Sequence, residues 1–349
     1  MATTLAERMS KFSGSPTSAL IAKVAELKQQ GKDIISLNVG EPDFGTPDYI
    51  KVAGMKAIAD NFTKYTPGNG ILELRQEIVK KLKQDNGIEY GLNEITTSVG
   101  AKQAIASAMM VIAGPGDEVI LPIPCWVSYT EMIRLAGATP VFVPVRPDNY
   151  ELDLKAIEDA ITPRTKAIII CTPNNPTGAV YSEESLRKLA ELAVKHDFFI
   201  VADEIYEKLV YDGAKHFSVA SISQEVKERT VTVNGFSKAY AMTGWRIGYA
   251  AARPDVIKGI MAVQSQTTSA TSSISQKAAA AALRGPQHDM EVMVEEFKRR
   301  KDYVVKRLNG IPGIVCPDVK GAFYVYPDVQ AYLGKSFGDR KIETAVDLC

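Results

Sequence analysis

A lysine among small residues, a carboxylate closing an apolar run and an asparagine held between prolines are the groups in this chain that could do chemistry. The lysine is Lys238, within NGFSKAYAMTGWR (Asn234–Arg246). Such a lysine has two readings. It is a surface charge in a loop, where most lysines belong, or it is an amine held so that a flat molecule can approach and be captured as an imine. Other stretches bear on the choice. Asp203-Glu204-Ile205-Tyr206 follows the apolar FFIVA. A carboxylate ending a buried strand needs a cationic partner, which an arginine or a protonated ring nitrogen would supply. Tyr206, one helical turn on, could aim its hydroxyl the same way. In Thr172–Gly178 (TPNNPTG) two prolines fix the backbone and present Asn175 as a rigid polar contact. Gly100-Ala101-Lys102 ends one run and opens a helix, where free N–H groups suit a phosphate; a plain strand–helix turn reads the same. Arg246 offers a fork of donors for a phosphate. Trp126, after Pro124-Cys125, could stack on a flat ring or belong to the core.

Taken together these are a phosphate cradle, a stacking ring, a carboxylate, two polar contacts and an amine. That is the requirement list of pyridoxal 5′-phosphate. The carboxylate would keep the ring nitrogen protonated, making the ring an electron sink. The lysine would hold the aldehyde as an imine and be released by an amino substrate.

These residues need elements to position them. ITTSV (Ile95–Val99), EVILP (Glu118–Pro122), PVFVPV (Pro140–Val145), KAIIIC (Lys166–Cys171), FFIVADE (Phe198–Glu204), TVTV (Thr230–Val233) and IGYAAA (Ile247–Ala252) read as strands. Helical patterns fall between most of them, so a mostly parallel sheet with both faces covered is expected. Ligands of such sheets lie beyond the carboxyl ends of the strands. Ile71–Gly87 reads as an amphipathic helix with Ile71, Leu74, Ile78 and Leu82 on one face, stopped by Asn-Gly. Asp153 and Ser182 read as helix caps. Residues 17–30, Pro254 onward, Ser272–Leu283 and about Glu291–Leu308 also read as helices. Ile34–Gly40 and Gly321–Asp328 read as strands, and Lys341–Cys349 as a helix.

The chain has 349 residues, with 41 Lys+Arg against 41 Asp+Glu. No basic block could neutralise a run of phosphates, so no nucleic-acid role is expected. The start lacks the apolar core of a signal peptide, and no apolar run is long enough to span a bilayer. Four scattered cysteines and three scattered histidines suggest reduced thiols, a cytoplasmic protein and no metal site.

YTPGNGILELR (Tyr65–Arg75), VGAKQA (Val99–Ala104), PNNPTGAVY (Pro173–Tyr181), DEIYE (Asp203–Glu207) and NGFSKAYAMTGWRIGY (Asn234–Tyr249) closely resemble the class I, fold-type I aminotransferases, in family order and spacing. More narrowly they resemble the bacterial aspartate/prephenate branch. The resemblance implies an α/β fold: a seven-stranded, mostly parallel sheet covered by helices, plus a smaller α+β domain. The expected bounds are 1–45 for the N-terminal part of the small domain, 46–285 for the large cofactor domain and 286–349 for the rest of the small domain.

It also implies roles. Lys238 would carry the cofactor and shuttle the proton between the substrate α carbon and C4′. Asp203 would pair with the ring nitrogen, Asn175 and Tyr206 would hold O3′, and Trp126 would stack. The amides of Ala101 and Lys102, at Gly100, would bind the phosphate with Arg246. Tyr65 would reach the phosphate of a second subunit in a homodimer. Gly40 would close over the substrate, with Trp126 and Asn175 beside it, and Lys102 would meet its second carboxylate. Cis prolines are implied at Pro124 and Pro176. The implied reaction is ping-pong transamination between aspartate and 2-oxoglutarate, with prephenate or an aromatic amino acid as the alternative. Two departures stand out. Gly235 occupies a position where many relatives carry a phosphate-binding serine. The family continues past GAFYVYPD to an arginine that clamps the substrate α-carboxylate. No residue up to Cys349 matches it, so the sequence is expected to be a fragment or a chain altered in substrate binding.

Overall fold

A computed structural model describes residues 5–10, 13–14, 16–37 and 39–348. The seven predicted strands are β1 (Ile95–Ser98), β2 (Glu118–Ile123), β3 (Thr139–Pro144), β4 (Thr165–Cys171), β5 (Phe199–Asp203), β6 (Thr230–Gly235) and β7 (Gly248–Ala251). They form one sheet in the order β1-β7-β6-β5-β4-β2-β3. Every pairing is parallel except those of β7, which runs antiparallel to β1 and β6. Side chains alternate faces along a strand, and here both faces are covered. Ile168 and Ile170 of β4 enter one core with Ile120 and Ile200. Ala167, Ile169 and Cys171 enter the other with Ile105, Met109 and Leu121.

Register decides where the chemistry falls. Cys171 sits opposite Asp203, and Asp203 opposite Val233. The three central strands therefore finish on one line, and TPNNPTG, the Glu204–Tyr206 turn and the Lys238 stretch leave from the same edge.

The helices are α1 (Pro16–Gln29), α2 (Asp48–Ala59), α3 (Leu72–Asn86), α4 (Gly100–Ile112), α5 (Ser128–Leu135), α6 (Leu154–Asp159), α7 (Glu183–His196), α8 (Gln224–Arg229), α9 (Pro254–Thr267), α10 (Ser273–Arg284) and α11 (His288–Asn309). α3 buries Leu74, Ile78 and Leu82 completely. It ends where Gly87 takes φ +69°, a conformation glycine adopts without a Cβ penalty. Asp153 and Ser182 cap α6 and α7 by accepting from the amides of Ala156 and Ser185, at 3.0 and 3.2 Å. α10 packs on α2 and α3 through buried alanines (Ala278, Ala279, Ala280 and Ala282), whose small side chains let the helices approach closely.

Three sequence expectations fail. Ile34–Gly40 forms no strand among its described residues, and Asn38 lies outside them; Ile35 and Leu37, which would share one face of a strand, are both exposed to solvent. Gly321–Asp328 is not a continuous strand either. Only the isolated bridges Val210–Gly321 and Val315–Asp328 form. Ala322, at φ +55°, breaks the extended run. Phe323 and Tyr324 then pack against Tyr206 instead of alternating along a ladder. In place of a helix over Lys341–Cys349 there is a hairpin of β8 (Ser336–Phe337) and β9 (Arg340–Lys341), then a single turn, α12 (Ala345–Leu348); Cys349 lies outside the described residues. Lys341 is taken by pairing with Ser336, so helix cannot begin there.

The burial of α3 predicts a contrast. Leu74→Ala should lower stability by about 2–5 kcal/mol in urea unfolding, whereas Leu72→Ala, on the exposed face, should change it by about 0.5 kcal/mol or less.

Candidate active site

The predicted residues converge on a cleft of about 780 Å³ beyond the carboxyl ends of the central strands. Asp203, Asn175, Tyr206, Lys238, Trp126, Ala101, Lys102, Arg246 and Gly40 all line it.

Asp203 is 3% exposed. Its Oδ2 accepts from the Tyr129 hydroxyl at 2.6 Å and its Oδ1 from the Ile205 amide at 3.2 Å. Among the described residues it has no ion-pair partner, so the arginine reading of this carboxylate falls away. Burial pushes its pKa up to about 6, against the pull of Tyr129 and the Ile205 amide.

Lys238 is half-buried and donates to the backbone oxygen of Gly40. Its Nζ lies 5.7 Å from the Tyr206 ring centroid and 5.4 Å from that of Phe323. Burial lowers its pKa to about 8, although the charges of Glu41 and Asp203 oppose the fall. It is therefore no ordinary surface charge. The same Gly40 is pressed against the Tyr324 hydroxyl, which leaves no room for a Cβ. Thr243 donates to Glu41 at 3.0 Å, fastening this segment over the lysine.

The two adjacent asparagines do different work. Asn174 is buried and builds the turn: its Oδ1 accepts from the amide and hydroxyl of Thr177, and its Nδ2 donates to Tyr181. Asn175 is left to face the cleft. The peptide bonds before Pro124, Pro173 and Pro176 are all cis. Two of these were expected, and Pro173 is an addition.

α4 begins at Gly100 without a side-chain cap, and Ala101 and Lys102 of its first turn line the cleft; the first amides of a helix have no partner within it. Gly100 has φ +77°, and a Cβ there would meet the Arg246 guanidinium at 2.8 Å. Arg246, itself at φ +52°, is steered there by hydrogen bonds to the carbonyls of Thr243 (2.9 Å) and Val99 (3.4 Å). A helix N-terminus beside a guanidinium presents N–H donors and positive charge, the chemistry that suits an anion. Gly235 packs against Gly248, and a Cβ on Gly248 would lie 2.7 Å from the Ala101 nitrogen. Lys102 stands 4.8 Å over the Trp126 ring, with its pKa lowered by burial and by Arg246.

Tyr65 is the exception. It is 96% exposed and lies outside the cleft, in a surface hollow with the 268–274 loop. Sequence reasoning missed Tyr129, Tyr324, Glu41 and Ser237, which also line the cleft. Tyr129 follows Trp126 by three residues, a spacing that could have been noticed. Tyr324 bonds the Tyr206 hydroxyl at 2.6 Å, but only the break at Ala322 aims it there. Behind the Asp203 turn, ligand atoms of Glu204, Glu207 and His216 come within 4.8 Å of one another. The Lys81 ammonium pairs with Glu207, and Asn86 and Ser218 complete the network. Burial opposes ionisation of Glu207, but the charges of Lys81 and His216 outweigh it and hold the carboxyl down at about 2. This is a buried ion network that carries its own cation. No helix among the described residues is long and apolar enough to cross a membrane.

A half-buried lysine and a buried carboxylate at the carboxyl edge of such a sheet, beside a helix terminus without a side-chain cap, are the arrangement of the fold-type I transferases. Comparison narrows this further: the chain belongs to the class I and II aminotransferase family, whose profile matches residues 32–346. It is 46% identical over 327 residues to an aspartate aminotransferase of Bacillus sp. (strain YM-2), covering 93% of this chain and 83% of that one. It is 46% identical over 341 residues to a probable aspartate/prephenate aminotransferase of Aquifex aeolicus (strain VF5), covering 97% and 86%. A crystal structure of the aspartate aminotransferase of Rhizobium meliloti superposes with a TM-score of 0.95 at 42% identity, covering 100% of this chain and 88% of that one. The aspartate aminotransferase of Thermus thermophilus with maleate superposes at 0.91 and 43% identity, covering 95% and 86%.

The lowered pKa predicts selective chemistry. A small aromatic aldehyde trapped with borohydride should label Lys238 with a midpoint near pH 8, because the neutral amine reacts and its share rises through that pH. Exposed lysines should follow only near their ordinary value of about 10.4. Peptide mass mapping across pH reads both.

Proposed function

We infer that this chain is a pyridoxal 5′-phosphate-dependent aminotransferase that exchanges the amino group of aspartate with 2-oxoglutarate. The observation that carries the reading is a half-buried amine and a buried carboxylate, not paired with each other, at one cleft that also takes in the first turn of α4 and the Arg246 guanidinium. The residues fit the cofactor. The Asp203 carboxylate lacks the cation that a protonated ring nitrogen would supply. The amides of Ala101 and Lys102, with Arg246, suit a phosphate. Asn175 and Tyr206 suit the ring hydroxyl, and Trp126 suits the ring face.

When bound, the cofactor supplies an aldehyde carbon for an amine to join and a ring that accepts the electron pair of the substrate Cα–H bond. The protein does the rest. With a pKa near 8, Lys238 is part neutral at physiological pH, so it can take a proton from the substrate α carbon and return it to a neighbouring atom. Asp203, 3% exposed, would hold positive charge on the ring from a buried position. The Gly40 carbonyl accepts from Lys238 and orients its amine, and Thr243 holds the neighbouring Glu41. Lys102, held over Trp126, meets the second carboxylate of an acidic substrate. Maleate, named with the Thermus structure, is itself a dicarboxylate. The prephenate reading rests on the name of the Aquifex relative, and a panel of oxo acids separates the two.

Tyr65 serves a second subunit in this reading. Its full exposure supports that role, as do the exposed apolar residues Val52, Met55 and Ile58 along one face of α2.

Two substitutions test the assignment by steady-state assay with aspartate and 2-oxoglutarate. Lys238→Ala should lower kcat by about 10²–10⁴-fold, the range for a lost general acid–base group, with the protein still folded. Lys102→Ala should raise KM for aspartate far more than for alanine; unchanged discrimination between them rejects its assigned role.

A further inference from the structure

One buried group at the cleft has no part in the proposed function, and its role rests on the cofactor binding there. Tyr129, 1% exposed, lies in the first turn of α5. Its ring meets Trp126 edge-on, with centroids 5.3 Å apart and planes at 88°. Its amide donates to the Trp126 carbonyl at 3.1 Å. Its hydroxyl donates to Asp203 Oδ2 at 2.6 Å, with both partners buried. A single short segment thus presents the ring suited to stack on the cofactor and the phenol that grips the carboxylate beneath it.

We propose that Tyr129 is a positioning residue that fixes the Asp203 carboxylate and keeps it less basic than the ring nitrogen it faces, so that the shared proton rests on the ring. The physical reason is the competition for that proton. A desolvated carboxylate becomes more basic, and left alone it would draw the proton to itself. A donor hydrogen bond to the ionised form offsets this, and it is strong because one partner is charged. Burial drives the Tyr129 phenol pKa well above its ordinary value, so the group stays a donor across the working pH range. The other groups acting on Asp203 cannot replace it. The Ile205 amide binds the other oxygen, Lys238 acts only at a distance, and the Glu204 charge raises the basicity of Asp203. The second oxygen of Asp203 thereby has one donor, fixed in direction.

The test uses holoenzyme reconstituted with cofactor labelled with ¹⁵N in the ring. In Tyr129→Phe the ring-nitrogen signal should move toward the unprotonated position. kcat should fall about 10- to 100-fold, the worth of one hydrogen bond to a charged group, with KM little changed. Replacing Tyr129 with 3,5-difluorotyrosine keeps the shape but strengthens the donor, and should move the signal the opposite way; this arm stands even if the phenylalanine variant does not fold. A variant that forms the visible, borohydride-bleachable band of the wild type yet leaves the ring-nitrogen signal in place overturns the proposal. Absence of that band in the wild type overturns instead the cofactor reading beneath it.

Discussion

The structure depends on keeping two opposite charges dry without letting them meet. Asp203 and Lys238 leave adjacent parallel strands of one sheet, each is desolvated, and no ion pair joins them. Direct contact would neutralise both and fill the space between. Instead Asp203 is gripped from below by Tyr129 and the Ile205 amide, and Lys238 is drawn toward Gly40. Burial shifts both pKa values toward neutrality, one up to about 6 and the other down to about 8. Buried unpaired charges are costly, so the arrangement persists only because the surrounding fold holds it rigidly.

That rigidity is visible in the layers beneath. The sheet buries both faces, and its central strands end in register. The turn carrying Asp203 and Tyr206 is anchored from behind by Lys81, Asn86, Glu207, Glu204, His216 and Ser218. Burial opposes protonation of His216, but the charge and hydrogen bond of Glu204 and the charge of Glu207 together outweigh it and hold its pKa above that of an ordinary histidine. From the other side, the Gly321–Tyr324 segment bonds to Gly178 and Leu209, stitching the asparagine turn to the tyrosine turn.

Much of this was legible in the sequence, for identifiable reasons. Strands such as KAIIIC announce themselves because residues buried on both faces leave no polar alternation. The helix at Ile71–Gly87 is legible because its apolar period and its glycine stop agree. Lys238, Asp203 and Asn175 stand out because each is a polar group at the end of an apolar or proline-fixed run. What escaped depends on contacts distant in sequence. Nothing local says that Tyr129 bonds Asp203 across 74 positions, or that Tyr324 reaches Tyr206 across 118. GAFYVYPD alternates like a strand, yet Ala322 adopts a left-handed conformation that its type does not advertise. Ile34–Gly40 has strand composition, yet Ile35 and Leu37 lie in solvent, so burial does not reward the alternation.

The most direct measurement of the central claim is a crystal structure of the protein grown with pyridoxal 5′-phosphate. Continuous density should join Lys238 Nζ to a flat ring, with the ring nitrogen within hydrogen-bond distance of the Asp203 carboxylate and the phosphate at the α4 N-terminus. A ring bound elsewhere, or one whose nitrogen faces solvent while Asp203 stays with Tyr129 alone, would contradict it.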